Sequence, residues 1–295
     1  MKVDRPRVLS LNNLWHISVM GKTYYEIDVF GAKPFSGNPV GVVLDADQLS
    51  TKQMQDFARW TNLSETTFVL TPKDDKANYG LRIFTPTSEL PFAGHPTLGT
   101  AKAWLDYVGA PTKNELIQEC GIGLIEVLQS EDRFSFKSPE LIRGEALSSQ
   151  LLTEVALTLN IEKSKILDSK WIDNGPGWIG VLLASAEEVL AVKPNRNSNL
   201  ALGIFGFYSA KSKYMYEVRG FYPEDGLLVE DPATGSLHAS GAQWLISAGK
   251  CVAPYLASQG KVINRNGEIY VTSDADQKIW IGGRAEIRIK GEVTF

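Results

Sequence analysis

One pattern occurs twice in this chain, in two stretches about 140 residues apart. The first copy is an Arg-x-Phe-x-Pro segment at 82–86, followed by a turn that contains Gly and an apolar run that ends at Trp104. The second copy starts at 219–223, continues through a similar turn and ends at Trp244. From proline to tryptophan is 18 residues in the first copy and 21 in the second. A strand-turn-helix unit that is used twice predicts two similar halves that face each other.

Each of the two turns, at 93–97 and 231–236, leads directly into a predicted helix. The N-terminus of a helix carries N–H groups without intrahelical partners, and it is the positive end of the peptide dipole. Such a terminus favours negatively charged ligands. If the two termini converge, they therefore form a site for an anionic substrate.

Short apolar runs bounded by Gly, Pro and Asn predict that most of the chain is strand, including strand character over 115–129 and separate strands over 278–281 and 285–289. Helices are predicted over 51–61, 97–107, 148–160, 186–192 and 237–248. The second and the last of these are apolar almost all round and rich in Gly and Ala, which is typical of helices surrounded by protein. We therefore predict an α+β fold with two pseudo-symmetric domains, each a curled, mostly antiparallel sheet wrapped around a central helix.

The same patterns divide the chain into three parts. Residues 1–19 precede the first strong strand pattern and are predicted to be a peripheral appendage. Residues 20–138, together with C-terminal strands at about 282–295, are predicted to form the N-terminal domain. Residues 139–281 are predicted to form the C-terminal domain.

Composition limits the classes of function. The 295 residues are 43% hydrophobic and 22% charged, as in a soluble globular protein. A net charge of -4 without a basic cluster argues against nucleic acid as a partner, and no apolar run is long enough to span a membrane. The two cysteines and three histidines lack the spacing of metal ligands, and no Gly-x-Gly-x-x-Gly or P-loop motif indicates a nucleotide. We expect a cytoplasmic protein that uses no metal and no cofactor.

Glu65 is a candidate acid/base residue. It precedes an apolar strand that starts at Thr66, and apolar surroundings favour the neutral form of a carboxyl group. Such a group can accept and return a proton near neutral pH. On spacing alone, a solvent-facing residue at a strand end or an acidic residue at a helix entry is the favoured alternative for Glu65. The corresponding position in the second half is Gly177, so this acid is present on one side only.

His95 stands at the first predicted helix start, beside Gly94. Pro96 follows it and suits the first position of a helix, because its missing N–H needs no partner there. His95 is therefore either an acid/base residue or a cap of its helix.

The second helix start offers a comparable set of polar groups. Asp231, taken alone, fits a helix cap, whereas Gly235 and Ser236 offer N–H groups and a hydroxyl that suit an oxyanion or a carboxylate. Asn38 lies in a tight turn from which its side chain could contact a ligand. Glu230 is predicted to be a solvated loop charge.

Six segments of the chain, at 28–39, 62–66, 82–86, 91–97, 231–236 and 282–285, occur in the order in which one known family carries them. On these segments the chain resembles the PhzF-like family, which is named for the isomerase of phenazine biosynthesis. The similarity covers residues 23–295 and leaves out residues 1–19.

The resemblance implies the fold of diaminopimelate epimerase, a homodimer, and an active site in the cleft between the two domains. It implies a cofactor-independent isomerase that moves a proton between carbons of a small carboxylate-bearing metabolite. In that case Glu65 is the acid/base, His95 and Asp231 assist it, and Gly94, Gly235 and Ser236 bind the substrate.

Two other functions remain open. An amino-acid racemase or epimerase would act at a single carbon, and the epimerase branch of this fold uses a cysteine at each helix start. Here His95 and the Gly235-Ser236 pair occupy those places, while Cys120 and Cys251 lie elsewhere, so a two-thiol epimerase fits poorly. A non-catalytic module that binds small anions or another protein is the other alternative.

Overall fold

The computed structural model describes residues 21–110, 115–224 and 226–295. The appendage predicted over 1–19 lies outside the described residues. The α-helices are α1 (Thr51–Thr61), α2 (Gly94–Val108), α3 (Ser149–Leu159), α4 (Ala186–Ala191) and α5 (Gly235–Ser247). Each predicted helix is present, although α2 begins three residues and α5 two residues earlier than predicted. No helix within the described ranges is long and apolar enough to cross a membrane.

Strands make up most of the remaining ordered structure. They are β1 (Gly21–Val29), β2 (Asn38–Val43), β3 (Glu65–Leu70), β4 (Tyr79–Phe84), β5 (Glu89–Leu90), β6 (Glu115–Cys120), β7 (Gly123–Ser130), β8 (Arg133–Lys137), β9 (Asp168–Trp171), β10 (Trp178–Leu182), β11 (Ala201–Phe207), β12 (Tyr216–Glu224), β13 (Leu227–Asp231), β14 (Tyr255–Gln259), β15 (Gly267–Ser273) and β16 (Ile279–Thr294). Most neighbouring pairs are antiparallel, which confirms the predicted α+β class with a mostly antiparallel sheet.

One predicted strand region is confirmed and another is wrong. The segment of strand character over 115–129 is the hairpin β6–β7, because the chain reverses before Gly123, whose φ of 104° suits a turn. The two strands predicted over 278–289 are one continuous strand, β16, which passes through Gly282 and Gly283. These glycines do not break the strand. A Cβ atom on Gly283 would lie 2.3 Å from the ring of Phe30, so glycine here allows close packing.

The first half of the chain closes into a ring of strands around α2. The ring runs in the order β1-β2-β3-β4-β6-β7-β8-β16, and β16 pairs back to β1. Helix α2 packs against several of these strands, and its side chains are buried over most of its length. Close approach depends on Gly99, where a Cβ atom would lie 2.3 Å from Val40. The predicted central helix is therefore present in this half.

From β16 the sheet continues through the second half in the order β15-β14-β12-β11-β10-β9. Helix α5 packs against β15 and β16 and is also buried over most of its length. A Cβ atom on Gly241 of this helix would lie 2.5 Å from the ring of Phe205 on β11, so a small residue is needed there as well. Because β16 pairs with β8, β1 and β15, it joins the two parts of the sheet.

Candidate active site

The N-termini of α2 and α5 meet in the structure. A Cβ atom built on Gly94 would lie 3.3 Å from Cα of Gly235, and one built on Gly235 would lie 3.3 Å from the main-chain nitrogen of His95. The ring of Phe136 on β8 closes the junction, at 2.6 Å from the same Gly94 Cβ position. The convergence predicted from the repeated turn is therefore present.

These two helices also differ from the others in how they begin. Helices α1, α3 and α4 are capped by the side chains of Ser50, Ser148 and Ser185, each of which accepts a hydrogen bond from a first-turn N–H group. The N-cap residues of α2 and α5 are Ala93 and Thr234, and neither makes a side-chain cap hydrogen bond. First-turn N–H groups at the junction are thus free to bind an anion.

Glu65 is the first residue of β3, and its side chain is only 16% exposed. Its Oε2 atom lies 3.3 Å from Nε2 of His95, without the angular geometry of a hydrogen bond. Burial, reinforced by the negative charges of Asp231 and Glu224, raises the pKa of the Glu65 carboxyl from 4.5 to about 8. The alternative of a solvent-facing strand end is wrong, and at neutral pH this carboxyl group is mostly protonated.

His95 is the second residue of α2 and is buried. Because α2 begins at Gly94, Pro96 is the third helical residue and not the first, a position where proline still fits. Burial lowers the pKa of His95 from 6.5 to about 3, although a hydrogen bond to the main chain of Pro39 opposes the shift. His95 is therefore neutral at pH 7, and its contact with Glu65 is not an ion pair. The alternative of a helix cap is wrong, since the N-cap residue is Ala93.

Asn38, the first residue of β2, connects the two sides of the junction. Its side-chain nitrogen donates to Oδ1 of Asp231 at 2.8 Å and to the carbonyl of Ala233 at 3.1 Å, and it lies 3.4 Å from Nδ1 of His95. The turn before it is held by Asp28, whose carboxylate accepts from the main-chain nitrogen of Gly37 at 2.8 Å. Asn38 therefore lies between His95 and Asp231 and contacts both.

Asp231 ends β13 and does not cap α5. Its carboxylate accepts hydrogen bonds from the Thr234 hydroxyl and from Asn38. Burial raises the pKa of Asp231 from 3.8 to about 6, although these two hydrogen bonds oppose the rise. The alternative of a helix cap is wrong because the paired strand β12 holds Asp231 back from the helix end. At pH 7 it is mostly ionised, in contrast to Glu65.

Ser236 is the second residue of α5 and contacts the Gly-rich segment before β10. Its hydroxyl oxygen accepts from the indole nitrogen of Trp178 at 3.0 Å, and its carbonyl accepts from the side chain of Asn174 at 2.9 Å. Because an indole only donates, the hydroxyl hydrogen of Ser236 remains available to a ligand.

Buried polar atoms without a hydrogen-bond partner gather at this junction. Among the described residues they include Oδ1 of Asn38, Oε2 of Glu65, Nε2 of His95 and Oδ1 of Asn174. Buried polar groups in proteins are nearly always paired, so unpaired atoms in one place indicate a site that contacts a ligand. Within the same described ranges, no three His, Cys, Asp or Glu side chains are grouped as metal ligands.

The structure thus brings together every predicted site residue. It also adds groups that the sequence does not single out: Trp178, Asn174, Thr234, Gln259 and the exposed Glu224, whose charge reaches both carboxyl groups. Thr234 lies inside the second repeated turn, and Trp178 adjoins the position that corresponds to Glu65. No local pattern marks Gln259.

The prediction that Glu230 is a solvated loop charge is wrong. Its carboxylate pairs with Arg219 through two hydrogen bonds, of 2.9 and 2.8 Å, and its side chain is 11% exposed. The pairing of β12 with β13 places these two side chains on the face of the sheet away from Asp231. In the first half of the chain, Arg82 makes the same bidentate contact with Glu89, through hydrogen bonds of 2.7 and 2.6 Å.

The stability of the Glu65→Gln variant relative to the wild type is expected to increase as the pH rises. The folded protein keeps the Glu65 proton up to a pKa of about 8, while an unfolded chain releases it near 4.5. Between these values the stability of the wild type therefore falls, by up to about 1.4 kcal/mol per pH unit. Denaturant titrations at each pH should show the difference between the two proteins widening with pH. A difference that stays constant would contradict a buried, protonated carboxyl group.

Comparison with known proteins connects this geometry to one family. The profile of the PhzC-PhzF family, described as phenazine biosynthesis-like protein, matches residues 27–291. Antisense-enhancing sequence 1 of Schizosaccharomyces pombe is 37% identical over 294 residues, which cover 92% of this chain and 98% of that protein. Trans-2,3-dihydro-3-hydroxyanthranilate isomerase of Pseudomonas aeruginosa is 36% identical over 266 residues, which cover 85% of this chain and 90% of that protein.

Solved structures extend the similarity to the fold. The Bacillus anthracis phenazine biosynthesis protein of the PhzF family superposes with a TM-score of 0.80 at 24% identity, over 94% of this chain and 100% of that one. A hydroxyproline epimerase from Agrobacterium vitis superposes with a TM-score of 0.56 at 11% identity, over 93% of each chain. At such identities the likeness concerns the fold alone, which is epimerase-like.

Proposed function

The chain belongs to the PhzC-PhzF family of phenazine biosynthesis-like proteins and is an isomerase, and we propose that it moves a proton between two carbons of a small carboxylate-bearing metabolite without a cofactor. One observation carries this proposal. Glu65, His95 and Asp231 meet at the joined N-termini of α2 and α5, and their surroundings push the pKa values of the two carboxyl groups apart. Titratable groups whose pKa values are separated in this way are suited to acid/base roles.

Glu65 is the proposed acid/base. It removes a proton from one carbon of the substrate and returns a proton to another, so the group ends each turnover in the state in which it began. With a pKa of about 8, both of its protonation states are accessible near neutral pH. A single base is consistent with the sequence, in which the matching position of the second half is Gly177.

The joined helix N-termini have the proposed role of binding negative charge. Loss of a proton from a carbon conjugated to a carboxylate places charge on that carboxylate and on its neighbours. Main-chain N–H groups at Gly94 and Gly235, together with the hydroxyl of Ser236, are suited to stabilise it. The uncapped starts of α2 and α5 support this role, since no side chain competes for those N–H groups.

His95, Asp231 and Asn38 are proposed to orient the substrate. His95 is neutral and can donate or accept one hydrogen bond at Nε2, and the mostly ionised Asp231 accepts from substrate hydroxyl or amino groups. Asn38 holds the two at a set distance. The relative from Pseudomonas aeruginosa is named for trans-2,3-dihydro-3-hydroxyanthranilate, a compound that carries a carboxylate, and this supports the substrate class proposed for the present chain.

We propose the predicted domain arrangement as well: residues 20–138 with about 282–295, and residues 139–281, as two pseudo-symmetric halves. The strand order supports it. Corresponding strand pairs in the two halves have the same parallel or antiparallel direction. The matching series of elements are β1-β2-β3-β4-β5-α2-β6 and β9-β10-β11-β12-β13-α5-β14. The matching Arg-Glu pairs of the two halves support it too. A homodimer in the cytoplasm remains a prediction, and sedimentation of the purified chain would test the oligomeric state.

A screen of carboxylate metabolites in deuterated water tests the proposed function. Each compound is incubated with wild-type protein and with the Glu65→Gln variant, and mass spectrometry measures the deuterium gained at carbon. We expect at least one compound to gain deuterium only with the wild type. Compounds that bind but never exchange hydrogen at carbon would favour the anion-binding module. Exchange that persists in the Glu65→Gln variant would show that Glu65 is not the base.

The Glu224→Gln substitution is expected to move the pH dependence of exchange toward lower pH. It removes a negative charge that raises the pKa of both Glu65 and Asp231. Because Glu224 is exposed, 1 M salt should shrink the displacement. Exchange rates measured across the pH range provide the test. The Glu154→Gln variant makes the same charge change at an exposed position of α3, and an equal displacement there would show that the effect does not arise in the cleft.

A further inference from the structure

Gln259 is a fully buried side chain at the end of β14, beneath the start of α5. Its nitrogen donates to the carbonyl of Asp231 and to the hydroxyl of Thr234, both at 2.8 Å. Its oxygen accepts from the main-chain nitrogen of Thr234 at 2.9 Å and lies 3.0 Å from Nε2 of His238. One amide therefore contacts both the segment that carries Asp231 and the helix that follows it.

The direction of each hydrogen bond in this group follows from its fixed members. A main-chain N–H can only donate and a carbonyl can only accept, so Thr234 and Asp231 together determine which way the Gln259 amide points. The Thr234 hydroxyl oxygen receives a hydrogen from Gln259, and its own hydrogen is thereby directed to Oδ2 of Asp231. Because the Gln259 oxygen only accepts, His238 carries its hydrogen on Nε2.

We propose that Gln259 is a positioning residue, which acts through the Thr234 hydroxyl to hold the Asp231 carboxylate in place as a charged acceptor in the cleft. This inference rests on the proposed function, in which Asp231 orients the substrate. Gln259 itself lies behind the site, so its effect reaches the substrate only through Thr234 and Asp231.

Asp231 needs such support because burial, and after it the negative charges of Glu224 and Glu230, favour the neutral form of its carboxyl group. Among the described residues, the charged groups whose fields reach it include Glu65, Glu224 and Glu230, while Arg219, His95 and His238 contact its neighbours Glu230, Asn38 and Gln259. The two histidines are neutral at pH 7, since burial lowers the pKa of His95 to about 3 and that of His238 to about 4. Arg219 is already paired with Glu230. Donors from Thr234 and Asn38 are thus what favours the ionised form of Asp231.

Titration of Asp231 in the Glu65→Gln protein tests the inference. In that background the Asp231 carboxyl carbon is followed by NMR with ¹³C-labelled aspartate, and its signal is identified by its loss in an Asp231→Asn variant. We expect Thr234→Val to raise the Asp231 pKa by about one pH unit or more, because the charge-assisted hydrogen bond is lost. Thr234→Ser keeps the hydroxyl and should leave the pKa unchanged, and Gln259→Met should raise it.

Matched variants separate this effect from a loss of packing. Thr158→Val removes another buried hydroxyl, on α3, and should leave the Asp231 titration unchanged. In the protein with Glu65 intact, the pKa of Asp231 is about 6. A rise of about one to two pH units in the Thr234→Val variant should therefore lower kcat/KM near pH 7 by about 2- to 10-fold, and the loss should disappear near pH 9, as expected for a group that must be ionised. Equal Asp231 titration in the Thr234→Val and Thr234→Ser variants, or an unchanged Asp231 pKa in Gln259→Met, would overturn the inference. Because the NMR measurement needs no turnover, it decides this point even if the proposed isomerase activity fails.

Discussion

The Glu65→Gln variant is expected to lose solvent exchange at substrate carbon by about 10²- to 10⁴-fold, the usual contribution of a general acid/base. The amide keeps the shape of the carboxyl group but can neither take nor give a proton. Because burial already keeps Glu65 mostly protonated at pH 7, the substitution removes no ion pair, and the variant should fold. The exchange rate is measured by mass spectrometry in deuterated water on the first substrate that the screen identifies.

Two controls make this result specific. The Glu154→Gln variant should exchange at the wild-type rate, because the substitution removes a carboxylate from the exposed surface of α3. The Glu65→Asp variant keeps the carboxyl group but withdraws it by one methylene, so it should retain an intermediate rate. A Glu65→Gln protein that is folded and exchanges as fast as the wild type would contradict the assigned base.

The Gly94→Ala variant is expected to lose about 1–3 kcal/mol of stability, the usual cost of forcing an extra methyl group into a packed interior. The new methyl would lie 2.6 Å from Cζ of Phe136 and 3.3 Å from Cα of Gly235, so the ring must move and the two helix starts must separate by a few tenths of an ångström. Separation displaces N–H groups that bind the substrate, and kcat/KM should fall at least about 10-fold, since small misplacements of positioning groups are costly. Denaturant unfolding and the exchange assay measure the two effects.

A second substitution tests whether the clash is the cause. Phe136→Leu removes the ring that the new methyl group contacts. The stability lost on Gly94→Ala should therefore be smaller in the Phe136→Leu background than in the wild-type background. Gly291→Ala is the matched control, because a Cβ atom there meets nothing within 4 Å. Unchanged stability and activity in Gly94→Ala would show that the helix starts are not in the contact described.

The central features of the site are predictable because they depend on local sequence. The repeated unit marks both helix starts, and the Gly- and Ala-rich runs mark the buried helices α2 and α5, since only small side chains allow strands to pack this closely against a helix. Glu65 is predictable as a candidate because an acidic residue directly before an apolar strand can be drawn into the interior with that strand. Its burial, and hence its raised pKa, depends on residues distant in the chain, including Asp231 and Glu224.

What cannot be predicted arises from pairings between distant segments. The local sequence favours a helix cap for Asp231. The actual role of Asp231 depends instead on the pairing of β13 with β12 and on a hydrogen bond donated by the side chain of Asn38, which is 193 residues away. The local sequence likewise favours a solvated loop position for Glu230. Nothing near Glu230 in the sequence indicates that its carboxylate pairs with Arg219. Gln259 carries no signal in the sequence, since a single glutamine in an apolar strand forms no pattern until the strand is placed under α5.

The position of deuterium in the product tests the proposed proton shift most directly. Once a substrate is found, it is converted in deuterated water by the wild-type protein, and NMR locates the label and the double bond in the product. A proton shift predicts deuterium at a carbon other than the one that lost its proton, a moved double bond, and no product with the Glu65→Gln variant. Deuterium at the same carbon with inverted configuration would contradict the proton shift and establish a racemase or epimerase.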